Sequence, residues 1–162
     1  MATGFFGKLP VAGDFVARGL APGLRAVLDR WLTLHFSPLV QDPVGWPEGG
    51  VRGLLRTAQG TWILLIEPGF DAVGRTYPLV ACTAHGGAGR AEADRWADAV
   101  WPHLLAAIER GTGPDELMIT LAGAADPAPG LDIPPIPSLW WAGVTPTYPE
   151  EHLPLLARIS SG

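Results

Sequence analysis

The residues best suited to chemistry or recognition lie in three short stretches. In Gly74-Arg75-Thr76-Tyr77-Pro78, Gly74 permits a bulge or a positive φ and Pro78 withdraws an N–H from any strand ladder. Arg75 then projects from a fixed kink, suited to a bidentate contact with a carboxylate or phosphate. The alternative is an internal salt bridge pinning the loop to Asp14 or Asp71. In Gly4-Phe5-Phe6-Gly7-Lys8-Leu9-Pro10, Lys8 is either the charge of a recognition surface or part of an edge strand whose Phe side chains pack inward. Asp14 reads as a turn or cap former, an ion-pair partner of Arg18 or Arg75, or a partner contact. Trp140-Trp141 places two large rings on opposite faces of a strand. One is expected in the core and the other as an exposed interface anchor.

Enzymatic signatures are weak by comparison. Cys82 with His85 is half a zinc set, and His35, His103 and His152 stand at no ligand spacing around it. Ser138 lacks a nucleophile elbow, and no Walker or dinucleotide glycine pattern occurs. Gly86-Gly87-Ala88-Gly89 precedes a helix but is not followed by the Lys-Ser/Thr of a phosphate loop. Ile133-Pro134-Pro135-Ile136-Pro137 reads as a stiff connector, with a polyproline ligand as the alternative. A binding protein without metal or cofactor is expected. The competing class is a small hydrolase using Asp14 or His85 beside the glycine-rich bend.

Composition narrows the setting. The 162 residues form one expected domain, 1–162, long enough for a core without staples. Net charge is −5 and the Lys and Arg residues are scattered, which argues against nucleic acid and weakly against anionic membrane. The longest strongly apolar run, Trp62 to Ile66, falls far short of the ~20 residues of a membrane helix. Lys8, Pro10 and Asp14 break the N-terminal apolar stretch before a secretory signal develops. The lone Cys82 fits a reducing compartment, so a cytoplasmic location is expected.

Several elements must position these residues. Phe5 and Phe6 read as a strand ending at Pro10. A helix starts near Pro22, with Leu24, Val27, Leu28, Trp31 and Leu32 on one face and Pro38 at its end. Residues 42–50 read as a loop. Val51–Thr57 and Thr61–Glu67 form a hairpin about Ala58-Gln59-Gly60. Pro68-Gly69-Phe70-Asp71 reads as a turn and Tyr77–Thr83 as a strand. Glu92 and Asp94 open a second helix with stripe Trp96, Val100, Leu104 and Ile108, stopped by Gly111 and kinked or divided at Pro102. Leu117–Leu121 and Leu139–Val144 read as strands, residues 126–137 as a proline-rich loop, and Leu153–Ile159 as a short helix. The expected fold is α/β: a central mixed β-sheet flanked by helices in α/β/α layers, with at least one hairpin.

Four blocks together resemble the TagF-type (ImpM/TagF) accessory proteins of bacterial type VI secretion, in a form with the N-terminal domain only. They are Gly4–Pro10 with Gly13-Asp14-Phe15-Val16; Asp29-Arg30-Trp31-Leu32; Asp71-Ala72-Val73-Gly74-Arg75-Thr76-Tyr77-Pro78-Leu79; and Ser138-Leu139-Trp140-Trp141 followed by Leu153-Pro154. The resemblance implies a cytoplasmic, non-enzymatic regulator that represses the secretion machine after translation by binding its forkhead-associated (Fha) scaffold protein. A structural component of the secretion baseplate is the nearest alternative. The partner surface expected here combines Lys8, Asp14, Arg75, Tyr77 and one of Trp140 and Trp141. The chain departs from the family pattern at Ala12, where relatives tend to carry a basic residue, and at Gly69, where they often carry serine.

Overall fold

The computed structural model describes residues 3–160. In chain order the elements are β1 (Gly4–Gly7), β2 (Val16–Arg18), α1 (Leu24–His35), β3 (Val51–Thr57), β4 (Gly60–Phe70), β5 (Thr76–Ala84), α2 (Arg90–Arg110), α3 (Pro114–Ala122), β6 (Ser138–Trp140) and α4 (Pro149–Ser160). The strands form one sheet in the order β2-β1-β5-β4-β3-β6. Alternation along β4 sends Ile63 and Leu65 to one face and Trp62, Leu64 and Ile66 to the other. Both faces are covered. Helices α2 and α3 pack through Trp96, Val100, Leu104, Leu117 and Leu121 on the first; α1 and α4 pack through Leu24, Leu28, Leu32 and Leu156 on the second. The expected α/β/α layers and the β3–β4 hairpin are therefore present.

Strand direction differs from expectation. Every pairing is antiparallel, so the sheet is not mixed. The links explain this: β3 and β4 are joined by two residues, and β4 and β5 by the five-residue turn 71–75. A parallel pair needs a crossover of a dozen residues or more.

Four local readings are also corrected or narrowed. Pro68-Gly69-Phe70 is not a turn but the end of β4, with Pro68 opposite Pro78. Two facing prolines can occupy only a non-hydrogen-bonded pair, where neither N–H is needed between the strands. Pro78 also lies just past the end of the β1–β5 pairing, which stops at Gly7 and Leu79. Leu117–Leu121 is part of α3, not a strand. Gly113 precedes it, Pro114 takes its first turn with Asp115 and Glu116, and Leu117 and Leu121 are buried one helical turn apart. Helix α2 runs unbroken through Pro102 rather than as two helices. The final strand is also shorter than expected, ending at Trp140.

An ionic cluster clasps α2 to the β3–β6 side of the sheet. The Arg52 guanidinium donates to Asp94 at 2.9 Å and Asp98 at 2.7 Å, and Trp140 Nε1 donates to Asp94 at 2.8 Å. Asp94, Asp98 and Trp101 recur at helical spacing, so one face of α2 presents all three. Trp101 Nε1 donates to Glu67, a buried carboxyl on β4. Burial pushes the Glu67 carboxyl up to about 7, against the opposing Trp101 hydrogen bond and Arg52 charge.

Folded Glu67 therefore holds its proton more tightly than the unfolded chain, whose value is 4.5. Its contribution to stability is full below pH 4.5 and is lost as the pH rises through about 7. Denaturant midpoints of the native protein should thus decline between pH 5 and pH 8. In Glu67→Gln this part of the decline should vanish; an unchanged decline would contradict the account.

Candidate functional site

Three of the four sequence blocks meet at one end of the sheet, around the carboxylate of Asp71. Asp71 follows β4 and is fully buried. Its Oδ1 accepts from the backbone N–H of Val73 at 3.1 Å and of Arg75 at 3.0 Å, closing the turn 71–75 on itself. Its Oδ2 accepts from Arg75 Nε at 2.8 Å and lies 3.1 Å from Lys8 Nζ. Burial by itself would raise this carboxyl, but the Arg75 and Val73 N–H groups and the two cations together hold it well below the usual carboxylate range. Gly74 completes the turn with φ +85°, a conformation that a side chain makes unfavourable.

The turn is also laced to the N-terminal segment. Ala72 N–H donates to Ala12 O at 2.8 Å, and Arg75 Nη2 donates to Gly13 O at 3.0 Å. Lys8 is thus no surface charge: it is 7% exposed, its ammonium bound to Asp71 and set 4.9 Å over the Phe15 ring. Asp14 forms neither expected ion pair. Arg18 pairs with Asp115 and Arg75 with Asp71, while Asp14 is exposed and accepts from Phe15 N–H at 2.7 Å, a turn-forming role. At Gly69 a Cβ would lie 2.9 Å from both Lys8 O and Tyr77 O, so the departure from serine there suits a close backbone approach.

Tyr77 is buried beneath this knot. Its hydroxyl lies 3.1 Å from the Asp29 carboxylate and 3.1 Å from the Thr33 hydroxyl, which ties the second block, on α1, to the third. Burial pushes the phenol up to about 12. Its ring meets Phe15 edge-on at 4.8 Å and Phe6 at 6.0 Å. Of the charged residues in the three blocks, Arg75 stands out. Its side chain is 64% exposed although its inner edge is fixed, and Val73, two residues before it in the turn, is exposed as well.

Trp140 and Trp141 lie elsewhere, on and just after β6 at the edge of the sheet beyond β3. They do point to opposite faces, as the strand alternation requires. Neither is exposed, contrary to the expected anchor: Trp140 lies under α2, and Trp141 packs against His152 of α4 at 5.0 Å between ring centres. A short strand can bury both rings when helices cover both of its faces.

Of the residues considered for catalysis, His85 and Cys82 are buried, Asp14 is exposed, and the buried Ser138 hydroxyl has no hydrogen-bond partner among the described residues. His85 Nε2 lies 2.7 Å from Ala88 O within the glycine-rich bend, and burial pushes the Cys82 thiol up to about 12. Among the described residues no three His, Cys, Asp or Glu side chains are grouped to hold a metal ion. No described helix is long and apolar enough to cross a membrane. The residues whose pairing the sequence reading missed are Arg52, Glu67, Asp94 and Asp98. Their signal is charge inside otherwise apolar strands, matched by two acids one turn apart on α2.

Three substitutions check these placements. Asp71→Asn should lower the melting temperature at neutral pH more than Asp14→Asn does, because only the former breaks the knot. The advantage of native Asp71 should shrink as the pH falls below 3.8, its unfolded value, since its depressed folded value contributes stability only above that range. Trp140→Ala should destabilise the fold by roughly 3–5 kcal/mol in denaturant titrations, as for a buried ring; a loss under 1 kcal/mol would contradict its burial.

Comparison with known proteins places this geometry. No curated protein sequence matches the chain. Among solved structures, the chain is similar to PA0076 from Pseudomonas aeruginosa PAO1, with a TM-score of 0.64 and 23% identity over 98% of this chain and 78% of that one. That likeness is one of fold. Residues 4–46 match the TagF N-terminal domain, a type VI secretion system-associated family. The match holds the glycine-aromatic opening, Lys8, Asp14 and all of α1, and it bears out the TagF-type resemblance where the first two sequence blocks lie.

Proposed function

We propose that this protein is a non-enzymatic, cytoplasmic regulator of type VI secretion that represses the machine after translation by binding its Fha scaffold protein. The observation that carries the reading is the turn 71–75. It presents an exposed Arg75 and Val73 on a backbone locked by a buried carboxylate. Such pre-organisation lowers the ordering cost of association, because loop and side chain are already fixed. The internal engagement of Lys8, Tyr77, Cys82 and His85 favours a binding surface over a catalytic one. The TagF-domain match at residues 4–46 supports the secretion-system setting.

Calorimetric titration with the Fha scaffold protein of the same organism tests this. Saturable binding is expected. Val73→Asp, at a side chain that is 72% exposed, should weaken it at least about tenfold, or about 1.4 kcal/mol, with the melting temperature unchanged. Absence of binding by well-folded protein would contradict the proposal. Co-sedimentation with assembled baseplate complexes would then favour the structural-component alternative.

A further inference from the structure

We infer that the group Arg75 recognises is a single carboxylate on an acidic partner segment, set beside an aliphatic side chain that rests on Val11 and Val73. The inference rests on the binding reading above and names the chemistry of its contact.

The guanidinium has five N–H donors. Nε is taken by Asp71 and one Nη2 hydrogen by Gly13 O, both on the inner edge. Three donors, including the whole of Nη1, have no partner among the described residues. The arginine is thus clamped by two bonds while its outer edge stays open to solvent. A fork held in place in this way loses little freedom when it takes up a second planar acceptor.

The neighbouring charges select the ligand. Lys8 is the other cation of the knot, and it is buried against Asp71. Arg75 is left as one exposed positive charge, with the exposed Asp14 carboxylate next to Gly13 in the chain. Phosphoryl groups carry up to two negative charges and are recognised by clusters of arginines. One cation beside one anion suits a monoanion instead. The hydrogen bond from Ala72 N–H to Ala12 O joins the chain neighbours of Val73 and Val11, both exposed, so apolar surface lies near the turn that carries Arg75. A carboxylate with an aliphatic neighbour matches both parts.

The test measures Kd for the Fha scaffold protein at about 50 mM and about 300 mM salt, on either side of strong screening. The native chain should bind several-fold more weakly at the higher salt. Arg75→Gln should weaken binding roughly ten- to hundredfold at low salt and flatten the salt dependence. Arg75→Lys, which keeps charge but loses the fork, should fall between. Phosphatase treatment of the scaffold protein should leave Kd unchanged. If Arg75→Gln binds like the native chain, or if dephosphorylation abolishes binding, the carboxylate inference is overturned while the binding reading stands. If Arg75→Gln does not fold, the native salt dependence decides alone, and a Kd indifferent to salt overturns the inference. A native chain that does not bind overturns both.

Discussion

A buried carboxylate is the constraint on which the candidate site of this protein depends. Removing an ionised carboxyl from water is costly unless its oxygens are fully engaged. Asp71 meets that condition with two backbone N–H groups, the Arg75 guanidinium and the Lys8 ammonium. Meeting it draws the N-terminal segment, the end of β4 and the start of β5 into one unit. The aromatic trio of Phe6, Phe15 and Tyr77 then packs beneath, and Tyr77 passes the connection on to Asp29 of α1. Internal electrostatics thereby set the shape of an external surface. Lys8 is consumed, and Arg75 is held by one edge with the other edge free.

The β6 edge of the sheet solves a different problem with similar means. There β6 is only three residues long, and a short edge strand is held weakly by its ladder alone. Covering both faces compensates: Trp140 bonds Asp94 of α2, and Trp141 packs at a tilt against His152 of α4. Arg52 bonds the same aspartate, so the clasp joins strand, edge and helix. Burying Arg52 and Glu67 in this region is tolerable because each has partners, although Glu67 is incompletely compensated and so is raised toward neutrality. One edge thus serves stability, and the other end presents a surface.

Much of this was legible in the sequence where the signal is local. The apolar spacing of Leu24, Leu28 and Leu32 reads directly as α1, and the short break at Ala58-Gln59 reads as the β3–β4 hairpin. Signals failed where two local rules conflict. Pro68-Gly69 has turn composition, yet facing prolines can extend a ladder at a non-hydrogen-bonded pair. Leu117–Leu121 has a strand's apolar run, yet Gly113-Pro114-Asp115-Glu116 is a helix start. At the candidate site, the sequence named Arg75 and its possible bond to Asp71, the alternative that the structure realises on its inner edge. It could not place Lys8 against Asp71, because nothing local couples residues so far apart in the chain. Nor could it bury both tryptophans, since that depends on which helices cover β6.

The central claim is that the partner is met by the turn 71–75 together with residues 11–14. Hydrogen–deuterium exchange of the chain, free and saturated with the Fha scaffold protein, tests it most directly. The account predicts added protection in peptides covering residues 11–14 and 71–75, with none at β6. Protection confined to the β6 edge, or to the outer face of α1, would contradict it.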